Sequence, residues 1–397
     1  MDNNFFIGNR QSLSNLIQGG VVVMTSYHAM QKSNDMAADF EQEANFKYLC
    51  GIGKPGWLMV HDGIRNHTWL VRPSIDINEM IFDGALSNDE ALVISGANEI
   101  IDQVNFEALL QNIRRKHTTV YSITPKDFGN FVANPAQKLL CQQLDRIFEK
   151  TIDIRDDLTK LRAIKQPIEI KALEKAIKIT SEGFDKFRNT IETLHYEYEA
   201  QAIFSYEIER RGAMRAYAPI IASGKNACTL HYVDNCSRLR ARSLVLCDVG
   251  AKVDGYAADI TRTLQFSKAT NRQLSVHSEV VAAQRDIIDQ IKPGLAVVDY
   301  LSYVDNRMHE AIKNLKLKAS SQVDLVRRYM PHAISHGLGQ DVHESLGKAE
   351  VFKPGMVLTV EPGIYIPEES IGVRIEDDIL VTDKGHTNMS RMLSTEP

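Results

Sequence analysis

Two hairpins of apolar strands are legible in the second half of this chain, and each sets a pair of acids face to face, one acid on each strand. The first is Leu244-Val245-Leu246-Cys247-Asp248-Val249-Gly250, followed by a polar connector, Ala251 to Gly255, and then by Tyr256-Ala257-Ala258-Asp259-Ile260-Thr261-Arg262-Thr263. Read as an antiparallel hairpin that turns between Val253 and Asp254, beside the turn-forming Asp254-Gly255 pair, it sets Asp248 opposite Asp259. Side chains facing across such a pair are about 5 Å apart at Cβ. Two ionised acids that close repel, so one is protonated or a cation lies between them. The arrangement recurs in Met356-Val357-Leu358-Thr359-Val360-Glu361-Pro362-Gly363 and Ile371-Gly372-Val373-Arg374-Ile375-Glu376-Asp377-Asp378. A turn between Glu368 and Glu369, in the polar stretch Pro367 to Ser370, sets Glu361 opposite Glu376. A lone Asp is usually a turn or surface residue; two facing pairs in apolar strands call for another reason. Arg374, two residues before Glu376, shares its strand face and is placed to orient a carboxylate. Taken alone, it reads equally well as an exposed cross-strand ion pair.

Histidines supply the nitrogen donors. His332, His336 and His343 fall in one Gly-containing segment, His332-Ala333-Ile334-Ser335-His336-Gly337-Leu338-Gly339-Gln340-Asp341-Val342-His343-Glu344. A single loop histidine is ordinarily solvated or structural. Three beside glycines, which let backbone approach a ligand closely, suggest a site. Four carboxylates with one imidazole suit hard divalent ions, Mn²⁺ first and Co²⁺, Fe²⁺ or Zn²⁺ after it. Two divalent ions would balance four negative charges and together would activate a water for hydrolysis.

The elements that must carry these residues follow a change in texture along the chain. Up to about residue 155, short apolar strands (Val21 to Met24, Trp57 to Val60, Thr68 to Val71, Ala91 to Ile94) alternate with helical patterns at Phe106 to Ile113 and Leu139 to Ile147. That predicts a mixed α/β layer domain over residues 1–160 with no chemical cluster. From Leu161 the pattern shifts. Pro167 suits a first helical turn, with Glu169 complementing the helix dipole. A second helix over Glu197 to Arg211 stops at Gly212, and two more are predicted near 270–291 and 297–314. The second domain is thus placed at residues 161–397 and carries every candidate ligand. At 397 residues the chain is too long for one ordinary core. Its 44% hydrophobic and 24% charged residues are those of a soluble protein, and a net charge of -5 leaves no basic footprint for nucleic acid. No stretch reaches the roughly 18 apolar residues of a membrane span, and no signal peptide is legible. Five scattered cysteines read as reduced thiols, so a cytoplasmic location is expected.

At these residues the sequence resembles the pita-bread metallopeptidases, in the branch of aminopeptidase P and prolidase. The likeness spans nearly the whole chain. Lys32, Asp35, Phe40, Glu41, Gln42, Asn45, Phe46, Tyr48, Leu49 and Gly51 echo a segment of the aminopeptidase P N-terminal domain. Lys32 and Glu41 replace its two arginines, and Glu79-Met80-Ile81-Phe82 lacks a tryptophan often found there. The resemblance implies an α/β (α+β) chain, with an aminopeptidase P-like domain ahead of a pita-bread (creatinase/aminopeptidase) catalytic domain. It implies Asp248, Asp259, His336, Glu361 and Glu376 as metal ligands, Asp259 and Glu376 bridging two ions. It assigns proton shuttling and substrate holding to His231, the proline pocket to His332 and His343, contact with the scissile carbonyl to His343, a proton carrier to Glu361, and support of the metal centre to Tyr365 and Arg374. The implied activity is hydrolysis of the bond between an N-terminal residue and proline in peptides, by a homodimer or homotetramer. A dipeptidase restricted to Xaa-Pro remains open. A metal-free creatinase-type hydrolase and a non-catalytic binding module fit less well, because no ligand residue is missing.

Overall fold

In a computed structural model, which describes residues 1–126, 129, 131–318 and 324–397, the chain divides into two compact units, Met1–Leu161 and Arg162–Pro397. The first is a six-stranded mixed sheet. Its strands run in the order Glu99–Asp102, His67–Arg72, Leu58–Asp62, Val21–Thr25, Thr119–Ser122, Lys150–Asp153. The three central N-terminal strands pair antiparallel, and the outer ones join in parallel. Helices Phe106–Arg114 and Ala136–Ile147 bury Phe106, Leu110, Ile113, Leu140 and Leu144 against Val21, Val23, Val60, Val71 and Val120. Both tryptophans, Trp57 and Trp69, belong to this unit. The stretch Ala91 to Ile94, read above as a strand, is part of a helix, Asn88–Ser95. Ser87 and Glu90 form a reciprocal cap at its start, and local capping outweighs the β propensity of Leu-Val-Ile.

The second unit opens with a long helix, Pro167–Arg188, with Pro167 in its first turn. It packs on a second helix, Glu197–Glu209. The first lies on the hairpin made of Ser243–Val249, Ala251–Val253, Tyr256–Ala257 and Ile260–Phe266, and the second packs on the strands that border it, Met214–Arg215 and Ile220–Ser223. A second helix pair, Asn271–Ile288 and Val297–Asn314, stands beside another hairpin, Val357–Val360 and Gly363–Ile366 against Ile371–Arg374 and Asp377–Val381. Each half is thus two helices on one long antiparallel hairpin. This duplication leaves no repeat in the sequence, because only the burial pattern recurs. Val276, Val280, Ile287, Tyr300, Val304 and Met308 cover Leu358, Val360, Val373 and Ile379. The faces of the hairpins turned from the helices are free to carry polar groups, and the two hairpins touch through Thr261, Thr263, Arg374 and Glu376.

Candidate active site

The first hairpin is held by its turn. Asp254 and Gly255 both take positive φ, 52° and 91°, and occupy the two central positions between Val253 and Tyr256, which pair with each other. Asp-Gly is suited to a two-residue turn that demands left-handed backbone at both positions. The turn therefore centres between Asp254 and Gly255. Asp248 lies opposite Thr261, not opposite Asp259 as expected. The reason is register: the turn residues shift the pairing by two positions, so the acids are diagonal neighbours, and an even shift keeps both on one face. Gly250 makes their approach possible, since a Cβ there would lie 3.0 Å from Ala258 C and overlap its carbonyl oxygen.

The second hairpin has the expected register, turning between Glu368 and Glu369 in a short 3₁₀ turn, with Val360 opposite Asp377 and Gly363 opposite Arg374. Glu361 and Glu376 fall in the gap where the ladder is interrupted. Their backbone N–H groups turn elsewhere: Glu361 donates to Ile334 O at 3.0 Å, and Glu376 donates to Thr261 O at 3.0 Å. The interruption thereby ties the histidine segment and the first hairpin to the two glutamates. Arg374 is buried, not exposed. It donates to Asp248 Oδ2 at 2.5 Å, to Tyr365 Oη at 2.8 Å and to Thr261 Oγ1 at 3.1 Å, so the carboxylate it orients is Asp248.

These elements bring Asp248, Asp259, His336, Glu361 and Glu376 together. One ligand atom each from Asp248, Asp259 and Glu376 lie within 4.8 Å of one another, and so do those of His336, Glu361 and Glu376. Glu376 belongs to both groups. His336 Nε2 is 3.5 Å from Asp259 Oδ2 and 3.5 Å from Glu361 Oε1. His336 Nδ1 faces Gly337 O at 3.0 Å, which places the ring proton on Nδ1 and leaves the Nε2 lone pair pointing at two carboxylates. His343 is exposed, with its ring edge-on to His336 at a centroid distance of 4.5 Å, and Asp259, His336 and His343 form a third group of converging donors. His332 accepts from Tyr365 Oη at Nε2, 2.9 Å, while its Nδ1 donates to Ala333 O at 2.8 Å and stands 3.5 Å from Glu361 Oε2. His231 is exposed and close enough to His332 to act on its charge.

The electrostatics test whether cations belong here. Burial, then the neighbouring acids, hold the carboxyls of Asp259 and Glu376 well above the usual carboxylate range. Burial pushes Glu361 up to about 8. Burial also lowers His332 and His336 to about 4, leaving both rings neutral at physiological pH. Among the described residues, Arg374 is the cation bonded to this acid cluster, and it is held charged against its own burial by Tyr365, Asp248 and Glu376. An unprotonated nitrogen aimed at two carboxylates, beside buried acids that cannot all ionise alone, is a donor set that divalent cations satisfy.

Four partners were missed in the sequence. Tyr217 Oη lies 2.5 Å from Asp248 Oδ1 and 2.6 Å from Asp259 Oδ1, so one phenol proton is shared between the two aspartates. Thr261 donates to Glu376 Oε2 at 2.6 Å, Thr359 accepts from the His336 N–H at 3.2 Å, and Asp378 Oδ2 accepts from the Asp259 N–H at 3.2 Å. Single hydroxyls in apolar strands carry no pattern. The one available signal was strand alternation, which puts Thr261 and Thr359 on the faces of Asp259 and Glu361.

The family model of metallopeptidase family M24 matches residues 171–383, and that of the aminopeptidase P N-terminal domain matches residues 6–121. This chain belongs to metallopeptidase family M24. Over 384 residues it is 32% identical to Xaa-Pro aminopeptidase 3 of Mus musculus, covering 91% of this chain and 76% of the relative. It is 28% identical to the Xaa-Pro aminopeptidase of Escherichia coli over 421 residues, covering 99% and 95%. The fold superposes on the low-pH form of aminopeptidase P from E. coli with a TM-score of 0.89 at 27% identity, covering 99% of this chain and 96% of that one. The α/β chain with a pita-bread M24 unit, expected from the resemblance, is the observed fold.

Proposed function

We propose that this M24 metallopeptidase removes the N-terminal residue from peptides whose second residue is proline, using two divalent cations held by Asp248, Asp259, His336, Glu361 and Glu376. The convergence of those five side chains from three separate stretches carries the reading. Bound there, the ions would polarise the scissile carbonyl and supply the hydrolytic water. Mn²⁺ is the metal favoured by four oxygen donors and one nitrogen, ahead of Co²⁺, Fe²⁺ or Zn²⁺.

The chain's own groups perform the rest. Arg374 and Tyr217 fix both oxygens of Asp248, leaving the carboxylate no freedom to rotate. A relay from Arg374 through Tyr365 to His332 sets the His332 tautomer, so that its Nδ1–H points toward Ala333 O and Glu361. Glu361, with one oxygen 3.5 Å from His336 Nε2 and the other 3.5 Å from His332 Nδ1, is the carboxyl assigned to carry the proton. We assign His343 to the carbonyl oxygen of the scissile bond and His231 to the proline nitrogen, which carries no hydrogen of its own. Similarity to proteins named Xaa-Pro aminopeptidase over nearly the full chain favours the aminopeptidase over the Xaa-Pro dipeptidase. Proline-containing peptides are the proposed substrates, and self-association and a cytoplasmic location are proposed with them; five unpaired cysteines support a reducing compartment.

The test is an assay of Xaa-Pro tripeptides, Xaa-Pro dipeptides and tripeptides without proline, with Mn²⁺ and with a chelator. Release of the first residue from the Xaa-Pro tripeptides, lost on chelation, is expected. Equal turnover of all three classes, or turnover indifferent to chelation, refutes the proposal.

A further inference from the structure

His336 and His343 end one short loop, and the residues that brace it come from far away in the sequence. The Glu344 N–H donates to Gly337 O at 2.8 Å, so the residues following each histidine are bridged to one another. The separation of the two imidazoles depends on that bridge. Beneath it the Glu344 carboxylate is buried, and it accepts from Lys165 Nζ and from Arg162 Nε and Nη2, at 3.0 and 2.5 Å for the arginine. Lys165 is buried too, and its ammonium also donates to Arg162 O at 2.8 Å.

The loop glycines exist for this contact. Gly337 and Gly339 both have ordinary φ, so left-handed backbone is not the reason for them. A Cβ on Gly339 would lie 2.7 Å from Glu344 Cδ, and one on Gly337 would lie 2.7 Å from Glu344 O. The absence of a side chain lets the carboxylate tuck under the loop. Gly339 O in turn accepts from the Ala257 N–H at 2.9 Å, which fastens the loop to the turn of the hairpin that bears Asp259.

We propose that Glu344, clamped by Arg162 and Lys165, is the positioning residue that sets the placement of His336 and His343 for metal binding and turnover. The inference rests on the metal-site reading above. It is tested in the full-length chain with two variants that disturb the same contact differently. Glu344→Asp keeps the charge and withdraws the carboxylate by one methylene; Gly339→Ala keeps every charge and pushes the carboxylate aside. Asp341→Asn, which alters an exposed partner of Arg162, is the control. Mn²⁺ titration calorimetry, thermal midpoint, and kcat and KM on an Xaa-Pro tripeptide are the readouts. Expected for both variants are Mn²⁺ affinity and kcat lowered roughly ten-fold or more, KM within about three-fold, and folding retained, with the control within about two-fold of wild type. Wild-type Mn²⁺ affinity and kcat in folded variants overturn the proposal. Failure of both variants to fold also overturns it, because the cluster then serves stability alone. A wild-type chain that neither binds Mn²⁺ nor cleaves the peptide sinks the metal-site reading and this proposal together; an active wild type with unaffected variants sinks this one only.

Discussion

Glu361 shows how a single side chain couples the site to pH. In the metal-free protein burial lifts it from 4.5 to about 8, and Asp259 and Glu376 move in the same direction. The folded chain therefore keeps protons that the unfolded chain has released, and stability from this source is lost as pH rises through the folded value. His332 and His336, lowered from 6.5 to about 4, have the opposite effect, but only below 6.5. Between pH 6.5 and 8 the carboxyls act alone. The thermal midpoint of chelator-treated protein should fall across that window, and saturating Mn²⁺ should abolish the fall; a midpoint that rises with pH would contradict the shifts. Tyr217 makes a second prediction at this scale. Tyr217→Phe removes the proton shared by Asp248 and Asp259, a hydrogen bond to charged groups worth about 1.5–3 kcal/mol. Mn²⁺ affinity measured by calorimetry should weaken by roughly ten-fold or more, with little change in KM for peptide.

Among elements, the hairpins decide what could be read in advance. The second hairpin was legible because Pro367 to Ser370 is the sole polar break between two apolar runs, and its midpoint gives the register directly. The first was misjudged by two positions, because a register drawn from facing acids ignored the stronger constraint of the Asp254-Gly255 turn. The error left the face unchanged, which is why Asp248 and Asp259 still converge. The helix Asn88–Ser95 was misread for a related reason: a short apolar run fits strand or helix, and the cap formed by Ser87 and Glu90 is what decides. Strand alternation gives the face of Thr261 but not its partner, and nothing marks the hydroxyl of Tyr217, since the carboxylates they meet lie 115 and 31 residues away. The close packing of the first hairpin gives a test at this scale. Gly250→Ala, whose Cβ would overlap Ala258 and meet Tyr217 Cε1 at 2.8 Å, should destabilise the chain by about 1–3 kcal/mol in urea denaturation and weaken metal binding as the aspartate strands part.

For the whole molecule, the division of labour between the two units is visible in where the acids lie. Every candidate ligand belongs to Arg162–Pro397, and among the described residues no group of converging metal donors occurs in Met1–Leu161. No helix of the described residues is long and apolar enough to cross a membrane. Ligand binding stabilises only the structure that binds. Because Trp57 and Trp69 both sit in the metal-free half, indole emission is a built-in reporter that watches the bystander, while far-ultraviolet dichroism watches both halves. If Mn²⁺ raises the dichroism midpoint and leaves the emission midpoint where it was, the halves melt independently. If emission follows, cooperativity passes from one half to the other, and the two indoles will have measured it without any label.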